Sequence, residues 1–152
     1  MLLALDVGNT NIVVGVFEEQ RLVQHWRVRT DRERTADEHG LLMTHLLQYA
    51  ALSPEGIDGV IISNVVPPMT DALQGMARRF FHVEPIFVSH ELDLGVPIRY
   101  HDPREVGADR LVNAVAAIHK YGAPATVVDF GTATTLDVIS PEGEYLGGCI
   151  MA

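Results

Sequence analysis

One ten-residue stretch decides the fold: residues 127–136 read VVDFGTATTL. A second stretch near the N-terminus, residues 3–12, reads LALDVGNTNI and has the same plan. In each, an apolar run ends in Asp-x-Gly, small hydroxyl or amide residues follow, and another apolar run begins. The glycine lets the backbone approach a ligand closely or take a positive φ angle. Because turn N–H groups and hydroxyls can donate to phosphate oxygens, the two copies indicate a duplicated unit with one phosphate site shared between them.

The likeness continues beyond the turns. Each half opens as strand, Asp-Gly turn, strand, polar hairpin turn and strand, with the hairpin turns at residues 18–20 and 141–143. The alternative is two ordinary β-hairpins, since Asp-x-Gly alone is common in turns. The shared downstream pattern favours the duplicated phosphate site.

Composition narrows the class of protein. The 152 residues are 47% hydrophobic and 20% charged, which is enough for a packed core. The formal net charge of −9 argues against a nucleic-acid partner and against an anionic membrane surface. The single cysteine, Cys149, excludes an internal disulfide and is expected in the core. Residues 1–5 are too short for a signal peptide, and no apolar run reaches the roughly 20 residues that span a bilayer. We therefore expect a cytoplasmic protein.

The first half predicts an α/β unit in the order βββαβαβ. Strands are expected at 2–8, 11–17, 21–29, 57–63 and 85–89. A capping box from Thr35 to Glu38 opens a helix that runs to about residue 50, with Leu42, Leu46 and Tyr49 on its buried stripe. A second helix is expected at about 69–80, after tandem prolines. Residues 1–100 then form a first lobe.

The second half repeats only the opening of that pattern. A helix is expected at about 109–121, with Gly122 as its breaker, and three strands follow between 126 and 150. Residues 101–152 are therefore expected to form the start of a second, incomplete lobe. Since a β-meander needs helices against its apolar side, we expect one face of this sheet to be exposed. We also expect the 152-residue chain alone to have little or no catalytic activity.

Four motifs occur in a fixed order: DVGNTN at 6–11, YHDP at 100–103, GADR at 107–110 and DFGTAT at 129–134. Together they resemble the type III pantothenate kinases, which belong to the superfamily of acetate kinase, sugar kinases, chaperones and actin. GGxI at 147–150 resembles the start of a further family motif. No Gly-x-x-x-x-Gly-Lys-Ser/Thr loop is present, so a P-loop route to phosphoryl transfer is excluded.

The resemblance implies an α/β, actin-like (ribonuclease H-like) ATPase fold with mixed β-sheets. It also implies a homodimer that phosphorylates pantothenate with ATP. In that reading Asp6 holds magnesium, directly or through water, because magnesium prefers oxygen ligands and keeps waters. The residues that would bind the nucleotide are Asp6, Val7, Gly8, Asn9, Thr10, Asn11, Ile12, Val13 and Thr132. Alone, Asp6 would be better explained as a turn carboxylate bonded to its own backbone.

The remaining roles also come from the resemblance. Asp109 is the general base toward the pantothenate hydroxyl, and Arg110 binds the pantothenate carboxylate. Tyr100, Gly107 and Ala108 complete the substrate site, and Asp129 binds a monovalent cation, potassium or ammonium. Two alternatives stay open: Asp109 can simply complement the helix dipole, and the chain can be another superfamily kinase or a non-catalytic regulatory member. The segment 107–110 favours pantothenate.

Overall fold

A computed structural model describes residues 1–151, and within them eight strands and three α-helices follow one another along the chain. The first five strands and two helices alternate as predicted. They are β1 (Leu2–Val7), β2 (Asn11–Glu18), β3 (Arg21–Arg29), α1 (Ala36–Tyr49), β4 (Gly59–Asn64), α2 (Thr70–Met76) and β5 (Ile86–Phe87). Then come α3 (Ala108–Tyr121), β6 (Ala125–Phe130), β7 (Thr134–Ile139) and β8 (Tyr145–Met151).

The first compact unit, Met1–Phe87, is built on a five-stranded mixed sheet in the order β3-β2-β1-β4-β5. Strands β1, β2 and β3 are antiparallel neighbours, whereas β1, β4 and β5 are parallel. Because side chains alternate across a strand, every second residue of β1 and β2 enters the core. Those side chains pack with the apolar faces of α1 and α2, and they are Leu3, Leu5, Val7, Ile12, Val14 and Val16.

Helix α1 begins as predicted, and its buried face matches the prediction in part. The Thr35 hydroxyl accepts from the Glu38 N–H (3.3 Å), and Glu38 accepts from the Thr35 N–H (2.8 Å), which confirms the capping box. The predicted stripe is correct in part: Leu42 and Leu46 are partly buried against the core, and Met43, which widened the predicted stripe, is fully buried. Tyr49 was placed wrongly, since it is 90% exposed, and the fully buried side of the helix is formed by His39, Gly40, Met43 and Leu47. A Cβ on Gly40 would lie 2.1 Å from the Phe80 ring. This close approach turns the glycine side of the helix inward.

The second helix of the first unit is shorter than predicted. Helix α2 ends at Met76, and a π-helical turn, Ala77–Phe81, continues it to His82, which has a φ of 57°. The predicted span of about 69–80 therefore covers three helical forms: the end of a 3-10 turn (Pro67–Met69), α2 and most of the π-helical turn.

The second unit, from Val88 onward, carries an antiparallel sheet in the order β6-β7-β8 with α3 on one face. Gly122 ends α3 as predicted, with a φ of 84° and its N–H bonded to the Ile118 carbonyl (2.9 Å). The segment before α3 belongs to this unit because Arg99 N–H donates to Tyr145 O (2.8 Å) and Tyr145 N–H donates to Pro97 O (2.9 Å). The second compact unit accordingly begins at Val88.

The sheet face away from α3 is exposed, as expected. Cross-strand register places Leu136 beside Val128 and Cys149, whereas the neighbouring Asp137 points toward α3. Val128 is half exposed and Cys149 is exposed. The expectation of a core cysteine is therefore wrong, because its parity on β8 directs it away from the helix that forms this unit's core.

Candidate active site

The turn after β1 lies where the carboxyl ends of the parallel strands β1 and β4 meet. Residues 8–10 connect β1 to β2, and the Gly8 N–H closes the turn on the Asn11 carbonyl (3.0 Å). Asp6 is the next-to-last residue of β1, and the Ser63 hydroxyl of β4 donates to its Oδ1 (3.1 Å). The turn thus offers amides and hydroxyls beside one oriented carboxylate, which fits a phosphate group accompanied by magnesium.

Two residues that follow β3 also hydrogen-bond to this turn. The Thr30 hydroxyl donates to the Gly8 carbonyl (2.6 Å), and the Thr30 N–H donates to the Thr10 carbonyl (2.9 Å). Arg32 donates to the Asn9 side-chain oxygen (2.9 Å). Two carbonyls of the turn are therefore occupied by protein donors. Sequence reasoning missed Thr30, Arg32 and Ser63, because only the strand register brings them to the turn.

The turn after β6 has the same length but closes on a nearer carbonyl. Residues 131–133 connect β6 to β7, and the Gly131 N–H donates to the Ala133 carbonyl (3.1 Å). Asp129 is again the next-to-last residue of its strand, and the Asn113 amide of α3 donates to its Oδ2 (2.8 Å). Thr132 stands exposed at the middle of this turn. Each unit therefore contributes one Asp-Gly turn of equal length.

Asp109 lies in the first turn of α3 and is half-buried. Its Oδ1 accepts from the Arg110 N–H (2.8 Å), and the helix dipole favours a negative charge in this first turn. Burial raises the pKa of Asp109, and the charges of Asp129 and Asp137 act in the same direction. The Arg110 N–H bond and guanidinium charge oppose that rise in pKa without cancelling it. A carboxylate in such surroundings is a stronger base than an exposed one.

Arg110 is buried and paired with a residue that sequence reasoning missed. Its Nε donates to Asp137 Oδ1 (2.8 Å), and its Nη2 lies 2.5 Å from the same oxygen without the alignment of a hydrogen bond. The Tyr145 hydroxyl donates to that oxygen as well (2.6 Å). Burial and this bond raise the pKa of Tyr145 far above its ordinary value, so it stays a neutral donor.

The two glycines of the 147–150 motif make room for the predicted substrate residues. A Cβ on Gly147 would lie 2.6 Å from the Tyr100 ring, and Gly147 has a φ of 109°. A Cβ on Gly148 would lie 2.8 Å from Arg110 Nη2 and 1.7 Å from the Leu136 carbonyl oxygen. The two glycines of β8 thus leave space for the side chains of Tyr100 and Arg110, which flank the predicted base Asp109 in the sequence.

No group of three or more His, Cys, Asp or Glu side chains comes together as a metal site within residues 1–151. In the same part of the chain, the helices are too short or too polar to cross a bilayer.

A profile of the type III pantothenate kinases matches residues 2–152. This chain belongs to the type III pantothenate kinase family. It is 54% identical, over 150 residues, to the type III pantothenate kinase of Myxococcus xanthus strain DK1622. That match covers 99% of this chain and 59% of the relative, so the chain spans about three-fifths of the length of the curated protein it matches.

Solved structures confirm the predicted actin-like fold of this pantothenate kinase family member. YeaZ from Pseudomonas aeruginosa matches with a TM-score of 0.52 and 18% identity, over 99% of this chain and 66% of that protein. The ROK hexokinase from Thermus thermophilus matches with a TM-score of 0.50 and 16% identity, over 99% and 48%. The Aquifex aeolicus Ppx/GppA phosphatase matches with a TM-score of 0.53 and 9% identity, over 99% and 51%. At these identities the likeness concerns the fold alone.

Proposed function

We propose that this protein transfers the γ-phosphoryl group of ATP to the primary hydroxyl of pantothenate, the first step toward coenzyme A. The observation that carries the proposal is Asp109, a half-buried carboxylate of raised pKa at the start of α3, inside the motif that resembles the family's substrate segment. The 54% identity to a named pantothenate kinase supports the same substrate.

In the proposed reaction, Asp109 accepts the proton of the pantothenate hydroxyl as that oxygen bonds to the γ-phosphorus. The bond from the γ-phosphorus to the bridging oxygen of ADP breaks, and ADP leaves with the bonding electron pair. Little covalent chemistry falls to the protein, so positioning and charge neutralisation provide most of the rate enhancement. Asp109 has to stay ionised when substrate binds. The Arg110 N–H bond supports this because it favours the charged carboxylate.

The proposed nucleotide contacts are residues of the Asp-Gly turns, each described within its own unit. Asp6, Val7, Gly8, Asn9, Thr10, Asn11, Ile12 and Val13 supply the first turn and its flanking strands, and Thr132 belongs to the second. Magnesium, held by Asp6 directly or through water, would neutralise phosphate charge. Potassium or ammonium would bind at Asp129, whose orientation the Asn113 amide fixes.

Tyr100, Gly107, Ala108 and Arg110 form the proposed pantothenate site. A guanidinium has five N–H donors, and Asp137 engages only one edge of the Arg110 fork. The remaining donors would meet the pantothenate carboxylate, for which a planar fork is well suited. We further propose a homodimer that encloses pantothenate near the subunit contact. The single cysteine favours a reducing compartment such as the cytoplasm.

The test is a coupled assay of the natural gene product with ATP, magnesium and pantothenate, with phosphopantothenate identified by mass. The 152-residue chain is assayed beside it, together with a pull-down without nucleotide. We expect pantothenate-dependent ADP release by the natural product. Partner capture without any turnover would contradict the proposal and support a regulatory member of the family.

A further inference from the structure

Asp137 is a fully buried carboxylate on β7, and within the described residues 1–151 its only charged partner is Arg110. One of its oxygens, Oδ1, receives Arg110 Nε at 2.8 Å and the Tyr145 hydroxyl at 2.6 Å. A charge in a protein interior is tolerated when it is paired and hydrogen-bonded. These three side chains therefore form one charge-paired group in the core of the second unit.

The group restrains the orientation of Arg110. The guanidinium lies against β8 where Gly148 has no side chain, and any Cβ there would come within 2.8 Å of Nη2. Asp137 and Gly148 are cross-strand neighbours, so the carboxylate and the space for the guanidinium come from one register pair. An arginine side chain otherwise samples many rotamers. In this protein the Arg110 guanidinium has one charged acceptor, Asp137, and lies in the space beside Gly148.

The restraint extends to the predicted base. The backbone N–H of Arg110 donates to Asp109 Oδ1 at 2.8 Å, so the residue that Asp137 holds is also the one that orients Asp109. A displaced Arg110 would disturb both its own guanidinium and the first turn of α3.

We propose that Asp137, assisted by Tyr145, is the positioning residue of Arg110 and presets the orientation in which this guanidinium meets the acidic end of the substrate. The inference rests on the proposed function, in which Arg110 binds the carboxylate of pantothenate. Asp137 acts through Arg110 and does not itself touch the substrate.

The test compares Asp137→Asn and Tyr145→Phe with wild type in steady-state kinetics of the natural gene product. Asp137→Asn keeps the shape but removes the charge, and we expect the KM for pantothenate to rise roughly tenfold or more, as when one partner of a buried charge pair is lost. Tyr145→Phe removes one hydrogen bond, and we expect a smaller rise of about threefold to tenfold. The KM for ATP should stay within about twofold in both, because a positioning effect is confined to one substrate.

Two matched controls come from exposed sites. Asp37→Asn removes a surface Asp–Arg pair, Asp37 with Arg79 at 2.9 Å, and Tyr121→Phe removes the hydroxyl of a tyrosine that is 78% exposed. Neither should change either KM. The Arg110 Nε–H resonance in nitrogen-15 spectra, assigned with Arg110→Lys, should move in Asp137→Asn and Tyr145→Phe and stay in place in the controls.

Each outcome has one meaning. An active wild type whose pantothenate KM is unchanged in both variants overturns the positioning role and leaves the proposed function intact. A variant whose KM for pantothenate and KM for ATP rise equally has a merely structural defect, and this result also overturns the positioning role. If Asp137→Asn does not fold, Tyr145→Phe decides by the same criteria. A wild type that phosphorylates no pantothenate overturns the proposed function, and this inference with it.

Discussion

His39 gives the first unit a stability that depends on pH. The side chain is fully buried in the sheet-facing side of α1, and neither ring nitrogen has a hydrogen-bond partner within the described residues. Burial, aided by the nearby charge of Arg34, lowers the pKa of His39 from 6.5 to about 4. The imidazolium is therefore disfavoured in the folded state.

The sign and size of the effect follow from proton linkage. Between pH 6.5 and about 4 the unfolded chain binds a proton at His39 that the folded chain does not, so the free energy of unfolding falls as the pH falls through this window. The full difference of about 2.5 pH units corresponds to roughly 3.4 kcal/mol. By pH 5.5 the loss is roughly 1.4 kcal/mol relative to pH 7.5.

The perturbation is His39→Leu, which removes the titration and the two unpaired ring nitrogens. Urea unfolding is measured at pH 7.5 and pH 5.5, on either side of the ordinary histidine pKa of 6.5. At pH 7.5 we expect the free energy of unfolding of the variant to equal or exceed that of wild type, because unsatisfied buried groups are destabilising. The difference in free energy of unfolding between the variant and wild type should be larger at pH 5.5 than at pH 7.5 by about 1.4 kcal/mol.

The control is Met43→Leu, at a buried position of the same helix that carries no titratable group, and it should leave the pH dependence unchanged. An identical pH dependence in wild type and His39→Leu would refute the reasoning, since it would mean that the buried ring takes up its proton as readily as an unfolded one.

Four other results are expected. Asp109→Asn should lower kcat of the natural product by roughly 10²–10⁴ while pantothenate still binds, and near-normal turnover would remove Asp109 from the role of base. Activity should require potassium or ammonium if Asp129 holds the cation; equal rates in sodium and potassium chloride at one ionic strength argue against it. Gly148→Ala should destabilise the second unit by about 3 kcal/mol or more in urea unfolding, because the new Cβ overlaps the Leu136 carbonyl; an unchanged midpoint contradicts this. Thr35→Ala should cost about 1 kcal/mol through loss of the capping box, and Thr35→Ser should restore it; equal stability of both variants would show that the cap contributes nothing.

The sequence alone determined the features that depend on neighbouring residues. The capping box at Thr35, the glycine end of α3 and the two Asp-Gly turns of equal length were all predictable, because caps and turns are set by a few consecutive residues. The order of the first seven elements was predictable for the same reason. The family motifs added candidate residues at both turns and at the start of α3.

Only the tertiary structure decided which face of α1 is buried and which partners the site residues have. Tyr49 fits an apolar stripe, yet the close contact between Gly40 and Phe80 turns another face inward. Ser63 reaches Asp6, and Asp137 reaches Arg110, across gaps of 57 and 27 residues. Strand register and helix docking bring these groups together, and both are set by packing of the whole unit. The chemical type of a side chain is therefore known from the sequence, but the tertiary fold determines which partner orients it.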